Sequence, residues 1–300
     1  AVMLVWHPWS RGALAAAPRI ANSIAVISFE NLTGDARYDS LIKAVPSLFI
    51  TKFEAMGFSY VATWERLQDM LRQLGKDPEK PIDTETGFAI CRKEGIAALV
   101  VGKITKAGDV FATDIKVLDV DTKRSLTSAT SHGTGEDSIL LSQIDDLSGR
   151  VVQELGVRSL PSEAAPPVSE MATSSLEAYE SYLKGNEAFY RKVLYGKAQE
   201  HYLRAVELDP DFIMAHLGLA QTHFQQGDAK ALSEAMEKVT ARADRANPKE
   251  KLYIQAWNSS WDPRRFREAT LFRLNEGCLF WVYIGHAQQR FLAPVSVPGA

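Results

Sequence analysis

The segment 195–210 (YGKAQEHYLRAVELDP) places small and aromatic residues at intervals that a helix brings to one side. Ala198, Tyr202, Ala205 and Pro210 are separated by four, three and five residues. Because an α-helix turns once in roughly 3.6 residues, the two alanines and the tyrosine share one stripe. A small side chain there lets a neighbouring helix approach, a ring fills the space beside it, and proline ends the helix. The segment therefore predicts one helix of a closely packed antiparallel pair.

This segment resembles the second helix of a tetratricopeptide repeat (TPR), a unit of about 34 residues built from two antiparallel helices. The residues that follow, DPDFIMAHLGLAQTHFQQGD, extend the resemblance into a second unit. The matching positions there are His216, Leu219, Ala220, His223 and the turn glycine Gly227. The second unit departs from the repeat in its second helix, where Leu232, Met236 and Val239 stand without small residues.

Capping residues mark where the first helices of the repeats begin. Ser174 and Glu177 have the spacing of a capping box, and Asn247 followed by Pro248 puts proline at the first position of a helix in KLYIQAW. The sequence thus predicts two repeats and the first helix of a third. Solenoids of this kind usually need about three units, so the array is short.

Composition allows two domains of ordinary globular character. The chain has 300 residues, of which 46% are hydrophobic and 24% charged. Its net charge of −3, with no basic cluster interleaved with aromatics, argues against a nucleic-acid partner. Cys91 and Cys278 stand alone without a partner motif, so neither a disulfide framework nor a metal site is predicted.

Residues 21–158 predict one α/β domain with the element order βαβααβββα. The runs 24–29 and 97–105 are continuously apolar, as in strands buried on both faces. The segment 110–120 alternates apolar and polar residues, which indicates a sheet with one wet face, and the more polar segment through His132 predicts an edge strand. Helices are predicted from Asp35 to about Met56, over 65–74, over 84–94 and over 136–155.

This order and several stretches resemble the amino-terminal domain of TolB and the related CsgG-like and FlgO-like domains of bacterial envelope proteins. The stretches are SIAVISFENLTGD, AALVVGKITKAGD, VFATDIKVLDVDTKR and a closing helix that ends in ELGV. In bacterial signalling proteins such a domain is often followed by TPRs. The resemblance implies the extracytoplasmic region of a serine/threonine kinase or adenylate cyclase, whose catalytic domain would lie outside this chain.

Five segments are expected along the chain. Residues 1–20 form a stub, either a disordered end or the last turns of a membrane or signal segment, since AVMLVW is too short to span a bilayer. Residues 21–158 form the α/β domain, and 159–173 a Pro- and Ser-containing, semi-extended linker. Residues 174–257 form the TPR domain. Residues 258–300 form a divergent tail, whose apolar run CLFWVYI could be a buried segment, a sticky surface or an aberrant end.

Candidate chemistry is sparse, and no catalytic, cofactor or metal residue is predicted. His216 and His223 share a helix face, but they occupy interior TPR positions and lack a third zinc ligand, so packing is favoured. The stretch NLTGD has one glycine and no following Lys-Ser/Thr, which favours a capped turn over a phosphate cradle. Asp119 and Asp121 fit hairpin-turn chemistry better than an acid/base pair. Signatures of hydrolases, P-loop proteins, zinc proteases and kinases are absent from the sequence.

The sequence therefore predicts a non-enzymatic interaction or sensor module on the extracytoplasmic side of a bacterial membrane, where a preceding segment could anchor it. Its partner would be a protein or peptide held by a concave TPR face, since aromatic and amide side chains can grip an extended peptide. The alternatives are an envelope assembly factor of the CsgG or FlgO type, an enzyme with an interdomain site, and tyrosines that serve only packing. The predicted binding residues come from the first helices of the two repeats: Tyr179, Tyr182, Asn186, Tyr190, Met214, Leu217, Gln221 and Phe224.

Overall fold

The computed structural model describes residues 17–78, 80–157, 165–246 and 248–261. The chain divides into two compact units, Ala1–Ser169 and Glu170–Ala300. The first is a mixed α/β domain and the second a helical region, as the sequence predicts. The stub up to residue 16, the linker over 158–164 and the tail beyond residue 261 lie outside the described residues. No helix in the described ranges is both long and apolar enough to cross a bilayer.

The first unit is organised around one six-stranded mixed sheet. Its strands are β1 (Ile20–Val26), β2 (Glu30–Leu32), β3 (Tyr60–Ala62), β4 (Ile96–Ala107), β5 (Val110–Asp119) and β6 (Ser125–Thr134). They lie in the order β3-β1-β4-β5-β6, with β2 paired to the end of β4. β1 is parallel to both β3 and β4, whereas β4, β5 and β6 form an antiparallel meander. The two apolar runs predicted as interior strands are confirmed as β1 and β4, and the predicted edge strand is confirmed as β6.

Helices cover both faces of this sheet. They are α1 (Leu41–Ala55), α2 (Trp64–Gln73), α3 (Thr84–Glu94) and α4 (Ile144–Leu155). Side chains of α2 and α3, including Leu67, Met70 and Phe88, form a buried core with Leu99 of β4. Gly102 points to the other face, where an added Cβ would lie 2.4 Å from the Phe29 ring. That ring packs on Phe49 of α1 at a centroid distance of 5.6 Å.

Two parts of the first unit differ from the sequence prediction. The predicted loop after β1 contains β2, because β4 extends beyond β1 and its exposed backbone pairs with Glu30–Leu32. The polar turn that follows is a capped turn, as expected, with the Asn31 amide donating to the Asp35 carbonyl at 3.0 Å. The closing helix starts later than predicted, with a π-helical turn over Ile139–Gln143 that leads into α4.

The end of the linker is bound to the first unit by a buried charge. Lys52 of α1, with 5% of its side chain exposed, lies 2.7 Å from the Asp145 carboxylate of α4. Its ammonium group donates to the carbonyls of Ala165 and Pro166 at 3.0 and 2.7 Å. Asp145 in turn accepts from the Val168 amide. The prediction of a semi-extended linker is therefore wrong for its last part, which also contains the short helix α5 (Val168–Met171).

The second unit is a succession of helices with short connections. They are α6 (Leu176–Asn186), α7 (Tyr195–Leu208), α8 (Ile213–Gln226), α9 (Ala229–Thr240) and α10 (Pro248–Trp261). The N-cap of α6 is Ser175, whose side chain accepts from the Ala178 amide, and not the predicted Ser174. α7 ends before Pro210 and α10 begins at Pro248, as predicted.

Candidate protein-interaction face

The predicted binding residues lie on the first helices of successive helix pairs. α6 continues as a π-helical turn over Glu187–Arg191, and α8 and α10 follow as the next first helices. We call the side chains contributed by these three helices at Tyr182, Tyr190, Phe224 and Tyr253 the first-helix face. Its geometry is set by three layers of contacts.

The first layer is a tyrosine wedged between two first helices. Tyr202 of α7 is fully buried, and its ring lies against Gly185 of α6 and Gly218 of α8. A Cβ added at these glycines would lie 2.5 and 2.6 Å from Tyr202 Cε1. The Tyr202 hydroxyl donates to Asn186 Oδ1 at 2.8 Å, and burial raises the pKa of Tyr202. The side-chain oxygen of Asn186 is therefore already used to bind Tyr202 of α7.

The second layer is an aromatic cluster at the start of the array. The ring of Tyr182 lies 5.0 Å from that of Phe212 and 6.1 Å from that of Tyr202, measured between centroids. Tyr179 stacks on Phe212 at 6.3 Å and is only 5% exposed, whereas Tyr182 is half-buried. Tyr179 therefore belongs to the core of this unit, and Tyr182 lies at the border between core and surface.

The third layer is a ring of hydrogen bonds that joins three first helices. The Tyr190 hydroxyl donates to Gln221 Oε1 at 2.7 Å, and Gln221 Nε2 donates to the Tyr253 hydroxyl at 2.5 Å. The two hydroxyls are 3.0 Å apart. Since Tyr190 uses its single hydrogen on Gln221, Tyr253 is the donor between the hydroxyls, and the three bonds close a cycle. Each group is satisfied by the others, which fixes the helices relative to one another.

Desolvation, followed by the neighbouring Tyr253, raises the pKa of Tyr190 well above its usual value. The residue as a whole is 42% exposed, although its hydroxyl is held in the hydrogen-bond cycle. Next to it along the array, Phe224 of α8 contacts Trp257 of α10 edge to face, with centroids 5.8 Å apart. The Trp257 indole nitrogen is buried and has no hydrogen-bond partner within the described parts of the chain.

The structure changes the expected accessibility of the predicted residues. Three of the predicted binding residues are buried, since Tyr179, Leu217 and Gln221 are only 5%, 1% and 2% exposed. Stacking of successive helix pairs buries these three side chains. The periodicity of a single helix does not indicate how closely such pairs stack. Five of the eight residues remain accessible at least in part: Tyr182, Asn186, Tyr190, Met214 and Phe224.

Sequence reasoning missed the contribution of α10, the first helix of the third helix pair. Tyr253 and Trp257 of α10 contact Gln221 and Phe224 of α8, yet neither was among the predicted residues. The available signal was KLYIQAW, which places the two aromatic residues four apart, and therefore on one helix face. α10 is thus more than the start of a third repeat, because it contributes Tyr253 to the first-helix face.

The other candidate groups have structural roles. His216 is buried and its Nε2 lies 2.8 Å from the Pro210 carbonyl; burial lowers its pKa. Asp119 accepts from Arg19 at 2.7 Å and from the Thr122 amide at 2.8 Å, as turn chemistry requires. In the described ranges, no group of His, Cys, Asp and Glu side chains is arranged to hold a metal ion.

Comparison with known families agrees with the helical part of this description. A family model described as TPR repeat matches residues 188–227. The matched segment runs from the π-helical turn after α6 through α7 and α8, and so includes Tyr202, Gly218 and Gln221. The second unit therefore contains a TPR repeat, as the spacing of Ala198, Tyr202 and Ala205 predicts.

Several solved structures are similar to this chain at low sequence identity. The LpoB C-terminal domain from Salmonella enterica is 15% identical, with 39% of this chain and 84% of that chain covered and a TM-score of 0.31. Lipoprotein GNA1162 from Neisseria meningitidis is 16% identical, with 45% and 96% covered and a TM-score of 0.33. TolB from Acinetobacter baumannii is 15% identical, with 47% and 30% covered and a TM-score of 0.27. The CsgG-like, kinase and cyclase interpretations stay predictions.

Proposed function

We propose that this chain is a non-enzymatic protein-interaction module of a bacterial envelope or signalling protein. Its helical unit binds an extended segment of a partner protein on the first-helix face. The observation that carries the proposal is Tyr190, which exposes 42% of its surface while its hydroxyl is fixed in the cycle with Gln221 and Tyr253. A TPR repeat at residues 188–227 supports an interaction role in general.

The face suits recognition because its aromatic groups are already held in place. Tyr182, Tyr190 and Phe224 contact other rings of the unit, so binding a partner immobilises few additional rotamers. Large, preorganised aromatic side chains are the residues that most often dominate binding energy. Gln221 would support binding indirectly. Its side-chain amide is hydrogen-bonded to Tyr190 and Tyr253, and it thereby positions Tyr190.

The α/β unit is proposed to dock or sense on the extracytoplasmic side of the membrane, and any kinase or cyclase domain would belong to another part of the same protein. This assignment depends on the resemblance of its strands to TolB-like domains, and the resemblance to envelope lipoproteins is consistent with it.

A peptide selection tests the binding proposal. The full chain is immobilised, and a displayed library of random peptides is selected against it, followed by affinity measurements on synthetic copies of the enriched peptides. Phe224→Ala and Tyr182→Ala are each expected to weaken binding by roughly tenfold or more, as for aromatic anchors. The control is Leu203→Ala on α7, which removes an apolar side chain, 44% exposed, outside the first-helix face.

Folding and binding must be separated in this experiment. Thermal melts of each variant identify those that lose structure, and hydrogen exchange locates the bound peptide. Protection is expected on α6, α8 and α10. A selection that enriches no peptide, or a peptide that protects only the α/β unit, would refute the proposed site.

A further inference from the structure

The sheet of the α/β unit ends in a long strand with an unpaired edge. β6 spans Ser125–Thr134 and pairs with β5 from Val110 opposite Thr134 to Leu118 opposite Ser125, with a register shift at Leu126. Within the described residues, no strand pairs with its other edge. The opposite edge of the sheet, β3, has only three residues. Alternate backbone amides and carbonyls of β6 therefore point outward and can pair with another strand.

This edge has a β-bulge at Leu126, near one end, but none of the other devices that normally prevent strand addition. Proteins usually place proline, lysine or inward-pointing charges on long exposed edge strands. The sequence of β6, SLTSATSHGT, contains neither proline nor any Lys, Arg, Asp or Glu. Its side chains alternate between exposed and half-buried, and Leu126 is 46% exposed. A second strand could add here without burying an unpaired charge.

Charges on either side of β6 select the partner and its direction. The strand follows Arg124 and precedes Glu136, both of them exposed, whereas Lys123 beside Arg124 is already paired with Glu85 at 2.6 Å. Two copies of β6 in parallel would bring like charges together at both ends. In antiparallel pairing the basic end of one copy meets the acidic end of the other, which is favourable.

We infer that β6 pairs antiparallel with β6 of a second copy of this chain, with Thr130 of each copy directly opposite the other. Only this register puts Arg124 of one copy and Glu136 of the other at equal distances from the centre. Inside the strand it places Ser128 opposite His132 and Ala129 opposite Ser131, so small and polar side chains meet. The six-stranded sheets of the two copies then become continuous.

The association is of the weak class. A single strand pair buries less than the roughly 1,200 Å² typical of stable interfaces, so measurements need high protein concentrations. β6 belongs to the α/β unit and the first-helix face to the helical unit. The inference therefore does not depend on the proposed peptide binding.

Disulfide trapping tests the register. In a Cys278→Ser background of the full chain, Thr130→Cys places two thiols opposite each other, with Cα atoms about 4.5–5.5 Å apart, a distance that a disulfide spans. Ser128→Cys is the matched control, since it is exposed on the same face of the strand. Its two copies would lie about 13 Å apart at roughly 3.3 Å per residue, too far to be joined. We expect rapid oxidation to a covalent dimer for Thr130→Cys only.

Charge reversal tests the orientation in solution. By sedimentation equilibrium, Arg124→Glu and Glu136→Arg are each expected to weaken self-association roughly tenfold, because both symmetric end contacts become repulsive. Combining the two reversals should restore it, while thermal melts show that the variants remain folded. A chain that stays monomeric at the highest attainable concentration, equal cross-linking at positions 128 and 130, or a dimer unaffected by these charges would overturn the inference. So would protection of β6 amides that appears only when a different protein is added.

Discussion

The contact between Tyr202 and Gly218 gives the sharpest test of the helical unit. In Gly218→Ala the new Cβ would lie 2.6 Å from Tyr202 Cε1, so the ring must move by about 1 Å to reach ordinary contact. Gly185 blocks the ring on its other side, where a Cβ would lie at 2.5 Å, and the hydroxyl is held by Asn186. Overpacking of this kind costs about 1–3 kcal/mol, whereas replacing a helical glycine with alanine gains up to about 1 kcal/mol. The expected net loss is roughly 1 kcal/mol.

The assay is thermal unfolding of the full chain, with hydrogen exchange to assign each transition to one unit. A loss of this size lowers the Tm by roughly 4 °C for a unit between 100 and 150 residues long, as Glu170–Ala300 is. Gly196→Ala in α7 is the control, because a Cβ there meets nothing within 4 Å, and it should be neutral or stabilising. In a Tyr202→Leu background, Gly218→Ala should also cease to destabilise. If Gly218→Ala and Gly196→Ala behave alike in the natural background, the wedge between the helices does not exist as described.

Two further predictions concern the α/β unit. Lys52→Met should destabilise it by roughly 3 kcal/mol, the low end for a broken buried ion pair, since the Asp145 side chain stays 24% exposed. Exchange of the Val168 amide should then accelerate, whereas Lys43→Met on the same helix should leave that amide unchanged. Equal effects would contradict the linkage of Lys52, Asp145 and Val168. The hydrogen bond from Arg19, then that from the Thr122 amide, lowers the pKa of Asp119 from 3.8 to about 2. Because the folded pKa is the lower one, the stability this group contributes is complete above the ordinary carboxyl value and is lost as the pH falls towards 2. Arg19→Met should raise the Asp119 pKa in an NMR titration and shrink that acid-side loss, and an unchanged pKa would show that the ion pair does not form.

Local sequence decided most of the helices and strands, because periodicity and caps act over one or two turns. The spacing of Ala198, Tyr202 and Ala205 determined α7, and the continuous apolar runs determined β1 and β4 as interior strands. The polar composition of β6 likewise placed it at the edge of the sheet. In each case the side chains required by the environment recur at the period of the element itself.

Other features depend on groups that are distant in the sequence and meet only after folding. The position of Gln221 on its helix predicts an exposed binding residue. The side chain is nevertheless buried, because Tyr190 and Tyr253 hydrogen-bond to it in a closed cycle. Lys52 binds Asp145 and the linker carbonyls, which are far from it in the sequence. No local sequence pattern predicts these contacts. Sequence alone therefore determined the two kinds of unit and most of their helices and strands. Tertiary structure decided which residues of the predicted face stay accessible, because burial depends on which helix stacks on which, and helical periodicity fixes only the side from which a residue projects.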